Sequence, residues 1–121
     1  LAADASGNLT AVRTEATLTA SLVRLDRELI EDESFSAPDL GDTAFREIVA
    51  MTRGGETLIP VDLNGGSLLR LDATGAPAGG TLEMSLLSLG IPFEDVIDVT
   101  TDIDGAAYVA SLTRIARIST T

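Results

Sequence analysis

Chemistry in this chain has to come from carboxylates, hydroxyls, arginine and a single tyrosine, because the sequence holds no Cys, His or Lys. Two arrangements of these residues stand out. Asp102-Ile103-Asp104-Gly105 places carboxylates at alternate positions before a glycine, an order that suits a hard cation such as calcium. The twelve-residue calcium loop ending in Glu is absent, and the same residues equally describe a β-turn. There Asp accepts backbone N–H bonds and Gly takes positive φ, and this turn is the expected form. Glu94, Asp95, Asp98, Asp102 and Asp104 put five carboxylates within eleven residues. On a strand Asp98 and Asp102 share a face, so a cation site or a carboxylate pair for glycoside hydrolysis is conceivable. A solvated acidic rim is the favoured reading, and Glu28, Glu31, Asp32 and Glu33 read the same way. Arg24, Arg70 and Arg114 return at near-constant spacing. A ring of such arginines would bind an anionic ligand bidentately. The expected use is plainer: each pairs with an Asp of its own or the adjacent unit, its stem packed on apolar surface.

The missing residue types exclude most other activities. Without Cys there is no disulfide framework, thiolate nucleophile or sulfur-ligated metal. Without His the usual base near neutral pH and the commonest metal ligand are gone, and without Lys there is no Schiff base or P-loop lysine. All eight basic residues are Arg against 19 acidic ones, a net charge of −11 over 121 residues. Nucleic acid needs a basic stripe that this balance does not supply, so no nucleic-acid partner is expected. No run approaches about 18 apolar residues, so no membrane insertion is expected; nor does a signal peptide appear. Hydrophobic residues at 45% are enough for a core, which must be aliphatic because aromatics are only 3%. Tyr108 has no base or metal partner in the sequence and reads as a strand aromatic. Asn8-Leu9-Thr10 is a formal glycosylation sequon with nothing to support its use.

The elements that must position these residues follow from an internal repeat. Ser21-Leu22-Val23-Arg24-Leu25-Asp26 returns as Ser67-Leu68-Leu69-Arg70-Leu71-Asp72 and as Ser111-Leu112-Thr113-Arg114-Ile115-Ala116, at offsets of 46 and 44 residues. Residues 45–52 match 93–100, and Leu40-Gly41 matches Leu89-Gly90. The unit is therefore about 44–49 residues, and a single domain of units at about 1–44, 45–92 and 93–121 follows. Each unit reads as four short segments: residues 47–52 or 95–100, the apolar run after the glycine turn, the Ser-Leu-x-Arg run, and a segment near 31–36 or 81–86. Turn signals separate them at 4–7, 54–55, 64–66, 72–75, 79–80 and 102–105. The segments have strand length, which predicts an all-β fold of four-stranded antiparallel units. A helix over 13–33, with Leu18, Leu22, Leu25 and Leu29 as its stripe, is the competing pattern. Its second copy carries Gly65-Gly66 and Gly75-Ala76-Pro77, which a helix would not carry, so strands are expected.

The run Val99-Thr100-Thr101-Asp102-Ile103-Asp104-Gly105-Ala106-Ala107-Tyr108-Val109-Ala110, followed by Arg114-Ile115, resembles an NHL-type or related bacterial β-propeller repeat. The resemblance implies an Asp-x-x-Gly turn between the first two strands of a blade, then a Tyr-Val-Ala strand and an Arg-Ile strand. It implies a propeller-like sheet arrangement and little about ligand. Fewer than three units are present, and rings typically close with about four to eight. The chain is then part of a larger propeller, a partner in a ring made by several copies, or a stack that does not close. An open strand edge is a template for another chain. The expectation is a non-catalytic structural or binding module, extracellular or on a cell surface, without a cofactor, meeting protein partners or its own copies through open repeat ends. The alternatives are a self-assembling subunit of a filament, surface layer or virion, and a fragment of a calcium-dependent propeller hydrolase.

Overall fold

The computed structural model describes residues 1–14, 20–37, 48–78 and 83–119. Among them are ten strands and no α-helix: β1 (Ala2–Ala3), β2 (Leu9–Thr14), β3 (Ala20–Leu25), β4 (Ala50–Met51), β5 (Thr57–Val61), β6 (Ser67–Leu71), β7 (Glu83–Ser85), β8 (Val96–Thr101), β9 (Ala107–Ser111) and β10 (Ile115–Ile118). They form three antiparallel sheets in the orders β1-β2-β3, β4-β5-β6-β7 and β8-β9-β10. Within 13–33 the described residues are strand to Thr14 and over Ala20–Leu25 and turn beyond, so the helical stripe does not describe this segment; Leu18 lies outside the described residues, as do Leu40-Gly41, Phe45 and Gly79-Gly80.

The repeat is visible as structure. Each sheet opens with a strand that ends in a tight turn (β1, β4, β8), followed by a hairpin. The bridges Leu25–Glu31 and Leu71–Pro77 fall at the same place in the first two units, again 46 residues apart. Among the described residues, four strands per unit is met only in the middle sheet. The first has the single Glu31 bridge in place of a fourth strand among the described residues, and the third stops at its third strand. The three sheets do not close into a ring.

Packing explains why the middle strands are almost wholly apolar. Successive strand residues point to opposite faces. One face of the middle sheet, with Ile59, Val61 and Leu69, packs on Val12 and Leu22 of the first sheet. The other, with Ala50, Leu58 and Leu68, packs on Val96, Val99, Ala107 and Val109 of the third, with Leu86 and Ile91 filling the gap. A sheet covered on both sides needs hydrophobes at every position, so β5 is buried throughout. The third sheet is covered on one face, and β9 alternates accordingly: Ala107, Val109 and Ser111 are buried, Tyr108 and Ala110 only partly. The first strands lie side by side, β1 against β4 and β4 against β8. Thr101 Oγ1 donates to Met51 O at 2.7 Å and Ala5 N donates to Arg53 O at 3.3 Å, which stitches neighbouring sheets together.

Candidate functional site

The Asp-Gly turns share one construction. In the turn after β8, Asp102 Oδ1 accepts the N–H of Asp104 at 2.9 Å and of Ala106 at 3.0 Å, while Asp102 N donates to Ala106 O and Gly105 N donates to Asp102 O. Asp4, Asp26 and Asp72 hold residues two and four places on in the same way. The turn after β4 keeps the frame with Thr52 in the aspartate's place, its Oγ1 accepting from Glu56 N. The fourth residue needs a left-handed backbone, and Gly7, Gly55, Gly75 and Gly105 supply φ of 86–93°. The turn at Asp26 has Leu29 there instead, at φ 67° and 65% exposed. A left-handed leucine costs roughly 1–2 kcal/mol, part of which glycine returns through unfolded-chain entropy. Leu29→Gly is therefore expected to stabilise the protein by about 0.5–1 kcal/mol. Thermal unfolding followed by circular dichroism should show a melting temperature higher by roughly 2–4 °C.

Over each first turn of a sheet lies an arginine from the third strand. The registers pair Thr10 with Arg24, Leu58 with Arg70 and Tyr108 with Arg117, three equivalent positions. Arg24 Nη2 reaches Asp4 Oδ2 at 3.2 Å, with both side chains under one-tenth exposed, and Nη1 donates to Gly55 O of the next unit at 2.9 Å. Thr52 offers no second oxygen, so in the middle unit Glu56, last in that turn, binds Arg70 through Nε and Nη2. Arg117 stands 4.0 Å from Asp102 Oδ2, donates through Nε to Tyr108 Oη at 3.2 Å, and lies over the Tyr108 ring.

The sequence therefore named the third arginine three residues early. Arg114 sits in the turn between β9 and β10, where Ser111 N donates to its carbonyl and Nη1 donates to Leu89 O. It shares no position with Arg24 and Arg70, and the Arg114-Ile115 strand expected from the resemblance is instead Ile115–Ile118. The signal was present: Ile115-Ala116-Arg117-Ile118 follows the pattern of Leu22-Val23-Arg24-Leu25. The connection shortens from residues 62–66 to residues 112–114, and the serine-led match at Ser111 obscured the true register.

Asp102 and Asp104 do not converge. Asp102 Oδ1 is committed to its turn, and Oδ2 takes the Tyr108 hydroxyl at 3.1 Å with Arg117 beyond. Asp104 is exposed at the turn's tip. Among the described residues no group of three or more Asp, Glu, His or Cys could hold a metal ion. Burial works to raise the Asp102 pKa, but the Ala106 N–H, the Tyr108 hydroxyl, the Asp104 N–H and the Arg117 charge outweigh it and leave the carboxyl below its ordinary value. A general acid would need the opposite shift. Where the first strands converge, an open cleft of about 500 Å³ is bounded by Asp4, Met51, Arg53, Thr101 and Asp102. Both its aspartates accept hydrogen bonds within their own turns and are approached by Arg24 and Arg117.

Comparison with protein-family models, with curated proteins and with solved structures finds no match to this chain.

Proposed function

We propose that the chain is a propeller-like, non-catalytic structural and binding module, which meets protein partners through the sheet faces at the two ends of its stack. The supporting observation is how the repeated polar residues are used. Each Asp of the turns binds backbone N–H groups two and four residues on, and Asp4, Glu56 and Asp102 are met by Arg24, Arg70 and Arg117. These side chains hold turns to strands and sheet to sheet, which is a framework role. The side-by-side first strands and the blade-like hairpins support the propeller-like arrangement.

A panel of esters, lactones and glycosides, with and without calcium, tests the reading. The expected result is no turnover above buffer and no rise in melting temperature with calcium, since a ligand binding only the folded state would raise it. Turnover that vanishes in Asp102→Asn or Asp104→Asn, with circular dichroism unchanged, would overturn it in favour of a calcium-dependent hydrolase.

A further inference from the structure

We propose that the hairpin turn at Asn64-Gly65 is a site of spontaneous covalent modification, where the asparagine amide gives way to isoaspartate and the packing of the second sheet on the third loosens. The chain carries two asparagines, Asn8 and Asn64, and one Asp-Gly pair, Asp104-Gly105. Each is a candidate for the same reaction, in which the next residue's backbone nitrogen attacks the side-chain carbonyl carbon. The structure separates them. Asn8 is held from two sides: its Nδ2 donates to Asp4 Oδ2 at 3.0 Å and its N–H to Asp4 Oδ1 at 2.9 Å. The nitrogen beside it belongs to Leu9, a strand residue with a bulky side chain. At Asp104 the attacking nitrogen is that of Gly105, which donates to Asp102 O at 3.1 Å, and a carboxylate accepts a nucleophile less readily than an amide.

Asn64 and Gly65 are both exposed, at the tip of the hairpin between β5 and β6. Their φ angles are 52° and 85°, and Gly66 N donates to Leu63 O at 3.1 Å to close the turn, the arrangement of a type I′ turn. Ser67 Oγ donates to the same Leu63 carbonyl at 2.7 Å. Phe93 N donates to Gly65 O at 3.0 Å, and Leu86 N and Leu87 N donate to Gly66 O at 3.0 and 3.2 Å. Among the described residues these bonds hold the peptide planes on either side of the one joining Asn64 to Gly65, and none of them uses the Gly65 N–H. That plane is the one the reaction has to turn, and glycine puts no side chain beside the attacking nitrogen.

The Gly65 nitrogen bonds to Asn64 Cγ, and its proton goes with the departing amide nitrogen as ammonia, leaving a five-membered imide. Water then opens the imide. Breaking the new bond to Cγ restores the chain with aspartate; breaking the original peptide bond leaves the chain running through Cβ and Cγ as isoaspartate. Either product carries one carboxylate more than the net −11 of the chain, and isoaspartate also adds an atom to the main chain. That atom enters where the packing is tight: a Cβ on Gly66 would stand 2.9 Å from Phe93 N and 3.0 Å from Ile91 O. Leu86 and Ile91, the buried residues that fill the gap between the second and third sheets, belong to the segment that the Gly65 and Gly66 carbonyls hold. Displacing those carbonyls releases it.

The test is to age the purified 121-residue chain in mildly alkaline buffer and follow it by ion-exchange chromatography and peptide mass mapping. The expected result is a growing, more acidic species. Its changed peptide spans Asn64, with the amide lost and the aspartate and isoaspartate forms resolved, while the Asn8 peptide keeps its amide. The isoaspartate fraction should melt roughly 4–8 °C below the unmodified chain, as the loss of one or two hydrogen bonds predicts. Asn64→Asp carries the charge without the extra backbone atom and should melt within about 2 °C of wild type. Asn64→Gly keeps the left-handed turn and should give no acidic species. Three results overturn the proposal: an Asn64 amide that survives conditions converting a free peptide of residues 61–69, conversion at Asn8 as fast as at Asn64, or an isoaspartate form that melts with wild type.

Discussion

Arg24→Leu is expected to destabilise the protein by about 3–5 kcal/mol, the usual cost of removing one partner from a buried ion pair. The substitution leaves the Asp4 carboxylate, 4% exposed, without its cation, and it strips Gly55 O of a charged donor at 2.9 Å. It also cuts the polar link from the first sheet to the turn of the second. The same substitution at the two equivalent positions separates burial from mere pairing. Arg70 and Glu56 are 22% and 30% exposed, so Arg70→Leu should cost about 1 kcal/mol, near the top of the range for surface pairs. Arg117 is 56% exposed and 4.0 Å from its carboxylate, and Arg117→Leu should leave the stability of the dilute monomer unchanged within error. Urea unfolding of the three variants is the measurement. Equal costs at the three sites would mean that burial of the pair does not govern its contribution.

Acid should act on the same groups. Burial of Asp4 works to raise its pKa, but the Asn8 side-chain amide, the N–H groups of Asn8 and Ser6 and the Arg24 charge hold it below the usual carboxylate value. The hydroxyl and N–H of Ser34 lower Asp32, and those of Thr74 lower Asp72. A carboxyl lowered on folding adds stability that is complete above its unfolded value, about 3.9, and is lost as pH falls through the native value. Stability should therefore hold from neutral pH to about pH 5 and fall below about pH 4. The Arg24→Leu variant should show a shallower acid fall, because part of what lowers Asp4 is already gone.

The turns, the strands and the repeat were legible because each has a local cause. An Asp followed by a Gly three residues later is a complete instruction for a turn: one side chain to cap it, one residue to take positive φ. Thr52 shows the limit, since a hydroxyl does the capping and the pattern survives only as Gly54-Gly55. Leu29 shows another, because the preceding Asp26 imposes the turn on a residue that resists it. Arg117 was missed because its place depends on the cross-strand register with Tyr108, which hairpin length sets and residue similarity does not. Which faces are covered was also out of reach: Leu22, Leu68 and Ile115 are interchangeable as letters, and only the stacking of the sheets distinguishes them.

That last distinction has the second large consequence. Leu68→Ala is expected to cost about 2–5 kcal/mol, and Ile115→Ala, in dilute monomer, almost nothing. Leu68 is fully buried between the second and third sheets, in one cluster with Leu58, Leu86, Ile91, Val96 and Val109. Truncating it removes the transfer free energy of three carbons and leaves a cavity that a sheet pinned on both sides cannot close. Ile115 occupies the corresponding place, opposite Ala110 as Leu68 is opposite Pro60, but three-quarters of its surface is in water. Surface substitutions of that kind usually fall within about 0.5 kcal/mol. Urea unfolding at micromolar concentration would show the contrast as two midpoints, one far below wild type and one coincident with it. A large cost at Ile115 in the dilute monomer would mean that this face is already covered within the single chain.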